Sequence, residues 1–118
     1  MEQHVKQPIV EAVVKEIYEA YPSLWERFGE NGHQRTMEDN HHHLDHLETA
    51  FQMDDCRFFI DYTTWLNELL TSRNVGTELI IDNFQRLQKH IPGKLDFIRE
   101  RSYLQYLELA LNSLRNPK

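Results

Sequence analysis

The segment Asn40-His41-His42-His43-Leu44-Asp45-His46 gathers four of the chain's seven histidines within six positions. Imidazole ligates borderline metals and changes charge near neutral pH, so such a run invites metal or proton chemistry. His42 and His46 stand four apart, and on a helix both rings project from one side, where they can share a zinc or nickel ion. Two ligands do not complete a site. On a straight helix Glu38, His42 and His46 spread over roughly 12 Å, too far for all three to touch one ion.

The helical wheel sorts the cluster further. Met37, Leu44, Leu47 and Phe51 define a buried side, and His42 and His46 fall nearly opposite it, in solvent, where such pairs capture metal adventitiously. His41 lies on the side of Leu44, with Asn40 and Glu48 at its edges. Buried polar groups need partners, so Asn40, His41 and Glu48 are expected either to satisfy one another and the backbone or to contact a ligand held between helices. Trp65 is expected in the core, or as an indole stacked on a flat ligand in an internal cavity. These four are the candidate cofactor-binding residues. No resident metal or cofactor is assigned.

Signatures of catalysis are missing. A carboxylate-bridged di-iron bundle needs Glu-x-x-His on two helices; the helix opening at Thr36 carries Glu38 to His41, and no other long helix carries a second. A hemerythrin-like site needs histidines from several helices, and outside the cluster there are only His4, His33 and His90. Asp45-His46 reverses the order of a His-Asp phosphohydrolase pair. Neither a Gly-x-Ser-x-Gly elbow nor a Gly-rich phosphate loop occurs, and Cys56 has no evident activating partner. The expectation is a protein that is not an enzyme.

The elements that must position these residues are helices. Ile9, Val10, Val13, Val14, Ile17 and Tyr21 line one side of a first helix with Pro8 in its opening turn, ended by Pro22. Ser23 caps a short segment with Leu24, Trp25 and Phe28, closed by Gly29 and Gly32. Thr36 opens the helix bearing the cluster, which runs to about Met53. Asp54 or Asp55 caps the next, where Phe58, Tyr62, Trp65 and Leu69 form one stripe that Phe59 and Leu66 widen. Asn74 and Gly76 stop it. Thr77 caps a helix with Ile80, Phe84, Leu87 and Ile91, ended by Pro92 and Gly93. The last starts near Lys94 and carries Leu104, Leu107, Leu111 and Leu114. The pattern predicts an all-α antiparallel bundle of about five helices, four long and one short, in a single domain over 1–118; a globin-like arrangement is the alternative.

Composition narrows the class. The 118 residues hold 19 acidic side chains against 13 Lys and Arg, a formal charge of -6. No two Lys or Arg residues are adjacent, which argues against nucleic-acid binding. One cysteine excludes an intrachain disulfide, the opening residues lack the apolar core of a secretory signal, and no apolar run spans a bilayer. A cytoplasmic protein without membrane contact is expected.

Phe28-Gly29-Glu30-Asn31-Gly32, Met37-Glu38-Asp39-Asn40-His41-His42, Leu47-Glu48-Thr49-Ala50, Phe59-Ile60-Asp61-Tyr62-Thr63-Thr64-Trp65 and Leu69-Leu70-Thr71-Ser72-Arg73-Asn74-Val75 resemble the helical region preceding the corrinoid-binding domain of cobalamin-dependent sensory regulators. That resemblance implies a helical module that caps the upper face of cobalamin or relays a signal. The cobalt-ligating Asp-x-His-x-x-Gly motif of the corrinoid domain itself is absent: Asp39-Asn40-His41 begins it, and Leu44 stands where Gly is needed.

The last helix adds a partner expectation. Leu95, Ile98, Tyr106 and Leu109 lie outside the Leu104, Leu107, Leu111 stripe, so the helix is apolar on two sides. One side then packs in the bundle while the other meets a second copy; a central, fully buried helix is the other explanation. The functional expectation is a noncatalytic regulatory or protein-interaction module, homodimeric through this helix. A tetrapyrrole-like small-molecule sensor and a metal-binding protein using the histidine cluster are its alternatives.

Overall fold

A computed structural model describes residues 1–116, and among them the chain is helical with no strand. The elements in order are α1 (Gln3–Ala20), α2 (Ser23–Met53), α3 (Cys56–Ser72), α4 (Thr77–His90) and α5 (Phe97–Arg115). They form an all-α bundle whose Cα extents are 39 × 36 × 18 Å, a slab about two helices thick. The core runs through all five helices and includes Ile9, Val13, Leu44, Leu47, Phe59, Phe84, Leu87, Tyr103, Leu107 and Leu111, each without exposed surface. Burying side chains of this kind contributes about 1.5–3 kcal/mol apiece.

Several boundaries differ from the sequence expectation, each for a local reason. α1 begins at Gln3, so Pro8 sits inside the helix, where its ring removes the donor that the His4 carbonyl would otherwise receive. The extra turn is held by Val5 and Lys6 amides donating to the Glu2 carbonyl and by the side-chain ladder Gln3 to Gln7 to Glu11. The short segment and the histidine helix are one element. At Gly29 the backbone adopts φ 63°, ψ −160°, kinks, and resumes the helix at once. Thr36 is therefore mid-helix, its hydroxyl donating to the Gly32 carbonyl at 2.8 Å. No helix is short.

Asp55, not Asp54, caps α3, accepting from the Arg57 amide at 2.9 Å, while Asp54 takes the left-handed conformation that ends α2. Gly76 occupies the N-cap of α4, and the Thr77 hydroxyl donates instead to Asn67 Oδ1 at 2.7 Å. Asp96 caps α5 through the Arg99 amide, which leaves Leu95 ahead of the helix.

α1 packs on α2 and α4, and α5 packs on α2, α3 and α4. α5 is thus apolar on two sides because three helices of its own chain surround it. Tyr106, expected at a partner interface, is 7% exposed and belongs to the core. Leu95 is half-buried against that core, whereas Ile98 and Leu109 are 66% and 38% exposed. Ion pairs pin the helices at their rims. Lys6 meets Asp45 at 2.7 Å between α1 and α2. Glu16 of α1 gathers Arg86, Lys89 and His90 of α4 at 3.1, 2.9 and 2.8 Å.

No helix of the described residues is long and apolar enough to cross a membrane.

Candidate functional site

The α3 stripe does not end in the core. Tyr62 is buried, Phe58 and Leu69 are half-buried, and Trp65 is 56% exposed. The core side of α3 is instead Phe59, Thr63 and Leu66, rotated toward α5 and α4. Phe58, Tyr62, Trp65 and Leu69 all line one open cleft of about 930 Å³ between α2, α3 and α4. Ile17 and Tyr18 of α1, and Leu24 and Phe28 ahead of the Gly29 kink, line it as well. A volume of this size suits a drug-sized or larger molecule.

α2 presents Asp39, His42, His43 and His46 to the cleft, an i, i+3, i+4, i+7 set on one side. His46 is half-buried, lying parallel to the Tyr62 ring with centroids 3.8 Å apart and also stacked on Phe58 at 5.9 Å. Its Nδ1 bonds the His42 carbonyl of its own helix at 2.8 Å. With Trp65 tilted on Tyr62 at 6.0 Å, an aromatic shelf runs from Phe58 through His46 and Tyr62 to Trp65. His42 stays exposed, as the wheel predicts, whereas His46, which the wheel also places in solvent, is half-buried by its stacking on α3.

His43 is the buried histidine, 3% exposed, with Nδ1 bonded to the Tyr62 hydroxyl at 2.7 Å. Burial pushes its imidazole down to about 3, with the neighbouring His46 and His42 acting in the same direction. Burial also raises the Tyr62 phenol above its usual range. Both groups are neutral at physiological pH, so their bond is one between uncharged partners. Asp39 has its carboxyl raised by burial, opposed by His42 and by Arg73 and Arg35. From α4, Leu79, Ile80 and Asn83 complete the lining.

Of the four residues expected to touch a ligand, only Trp65 lines the cleft. Asn40 is buried but spent on Asn83, each side-chain amide donating to the other at 3.0 and 2.7 Å, with a further bond to the Thr36 carbonyl. Glu48 binds Arg99 through both oxygens at 2.9 and 3.1 Å and accepts from the Tyr103 hydroxyl, clasping α2 to α5. These donors, with Gln52, outweigh its burial and hold the carboxyl at about 2. His41 is half-buried toward α1, where its Nε2 meets Gln7 Oε1 at 3.0 Å while Nδ1 is buried without a partner. The reason for the misplacement is rotational. The buried arc of α2, Asn40, His43, Leu44, Leu47 and Ala50, centres on Leu47. The wheel centred it near Leu44, an error of roughly 60° at 3.6 residues per turn, enough to exchange His41 for His43. Half-buried Met37 and Phe51 drew the wheel off. The buried arc widens toward α3, which no single-helix pattern reports.

Among the described residues no three His, Cys, Asp or Glu side chains converge into a metal-binding group. In comparisons with protein-family models, curated proteins and solved structures, nothing matches this chain.

Proposed function

We propose that this protein is a noncatalytic, sensor-type helical module that binds a flat, largely apolar small molecule in the α2–α3–α4 cleft. One observation carries the reading: an amphipathic stripe on α3, Phe58, Tyr62, Trp65 and Leu69, faces a cavity instead of another helix. Apolar surface held open beside a few oriented polar groups is the composition of a ligand pocket. Two of its imidazoles are committed to holding the fold. His43 is held neutral by burial and tied to Tyr62, and His46 Nδ1 is tied to the backbone. The resemblance to the helical region beside a corrinoid domain agrees with a module that covers a flat macrocycle.

The test uses N-phenyl-1-naphthylamine, a neutral aromatic probe, with Trp65 as reporter in a Trp25→Phe background. Saturable one-site binding with energy transfer from Trp65 is expected. Leu69→Asp, which places a charge on the half-buried rim of the cleft without disturbing the core, should weaken it at least tenfold. Absence of saturable binding, or an affinity indifferent to Leu69→Asp, overturns the proposal. A native mass spectrum of untagged protein shows in parallel whether a ligand is retained.

A second reading has its own observation. Phe97, Ile98 and Leu109 are 72%, 66% and 38% exposed on α5. Ile98 and Leu109, eleven residues apart, share one helix face, so association of two copies through it is the interaction function that remains once Tyr106 is assigned to the core.

A further inference from the structure

We infer that the cleft selects a ligand with an anionic group, a carboxylate or sulfonate carried on an aromatic or polycyclic body, and that Arg35 and Arg73 bind that group; this rests on the cleft being a binding site. Arg35 comes from the kinked first half of α2 and Arg73 from the C-cap of α3, and both line the cleft. The protein carries a surplus of six negative charges, so an arginine has carboxylates to choose from. Arg57, Arg86, Arg99 and Arg115 each take one within 4.0 Å. Arg27 lies over the Phe28 ring at 4.8 Å. Arg35 and Arg73 have no ion pair among the described residues, and the only other arginine without a partner, Arg101, is exposed on α5 away from the cleft.

The remaining charges of the cleft favour the same ligand. Its lining holds two guanidinium groups against one carboxylate, Asp39, with His42, His43 and His46 as imidazoles and Tyr18 and Tyr62 as phenols. Asp39 makes no side-chain hydrogen bond and is the one carboxylate of the lining that opposes a bound anion, outnumbered by the two guanidinium groups. A guanidinium offers two parallel donors to a carboxylate or sulfonate, a geometry that an exposed lysine does not match. The aromatic shelf from Phe58 to Trp65 would take the apolar body while the arginines hold the charge at the rim.

Two probes that differ in one group separate this inference from the reading it rests on. N-phenyl-1-naphthylamine is neutral, and 8-anilinonaphthalene-1-sulfonate carries the same ring system with a sulfonate. The sulfonate probe should bind the wild-type cleft about tenfold or more tighter at low salt, as a charge-assisted contact predicts. The Arg35→Gln/Arg73→Gln variant should erase that preference without changing the neutral probe's affinity, and Arg101→Gln should leave both unchanged. Asp39→Asn should tighten only the sulfonate probe, severalfold. Equal affinity of the two probes in wild-type protein, or a preference that survives loss of both arginines, overturns the anion inference while leaving the cleft as a binding site. If neither probe binds saturably, the binding site itself falls and the anion inference with it.

Discussion

His43 and Tyr62 are the polar pair on which the cleft turns. The imidazole is enclosed, bonded through Nδ1 to a phenol, and flanked edge-on by Phe84 at 5.2 Å, so a proton on it would have no counter-charge. The unfolded chain binds a proton at His43 near 6.5, whereas the folded chain refuses it until about pH 3. A depressed folded value stabilises the fold above 6.5, and that contribution is lost as pH falls through the window between the two. Between pH 7.5 and 4.5 the loss at this one residue is about 2–3 kcal/mol. Glu16 and Glu48, held at about 2 by their basic and hydroxyl partners, add to the loss only below the ordinary carboxylate value of 4.5. Urea unfolding at pH 7.5, 6 and 4.5 should therefore show stability already declining between pH 7.5 and 6, above the ordinary carboxylate range. The His43 ring resonances should stay unmoved from pH 8 to pH 5. An ordinary imidazole titration at His43 would contradict its enclosure.

The kink in α2 decides whether the cleft has a far end. Gly29 takes a positive φ with an extended ψ, a region that residues with a Cβ hardly visit. Beyond it, a Cβ on Gly32 would stand 2.2 Å from Phe28 Cβ, so the two turns press together and direct Phe28 and Leu24 to the cleft. Nothing lies within 4 Å of a Cβ built on Gly29, so the cost of Gly29→Ala is conformational strain alone, about 1–3 kcal/mol. The variant should melt lower than wild type and bind the neutral naphthylamine probe more weakly, because the first turns of α2 no longer return over the cleft. A variant of unchanged stability would show that the helix runs straight through Gly29.

Taken whole, the bundle presents apolar area to solvent in the cleft and on the face of α5 around Ile98 and Leu109. The second predicts self-association. Ile98→Asp/Leu109→Asp should give a folded monomer in light scattering if the face joins two copies, with helical content retained because both positions are exposed. A wild-type protein that is monomeric at high concentration removes that interface and leaves the cleft as the surface that needs a partner.

Much of this was legible along the chain. The apolar spacing and sparse Gly and Pro determined an all-helical chain, though the break read between Phe28 and Thr36 is a kink within α2, and the α3 stripe of Phe58, Tyr62, Trp65 and Leu69 is read directly from positions i, i+4, i+7 and i+11. Those are local properties, set by 3.6 residues per turn. What faces each stripe is not local. Whether Trp65 meets a core or a cleft depends on where α2 and α4 pass, and whether Tyr106 meets solvent or protein depends on three helices around α5. The exchange of His41 for His43 has the same origin: a rotation of one helix by less than a residue step is invisible in sequence, yet packing against neighbours on both sides decides which imidazole loses its water.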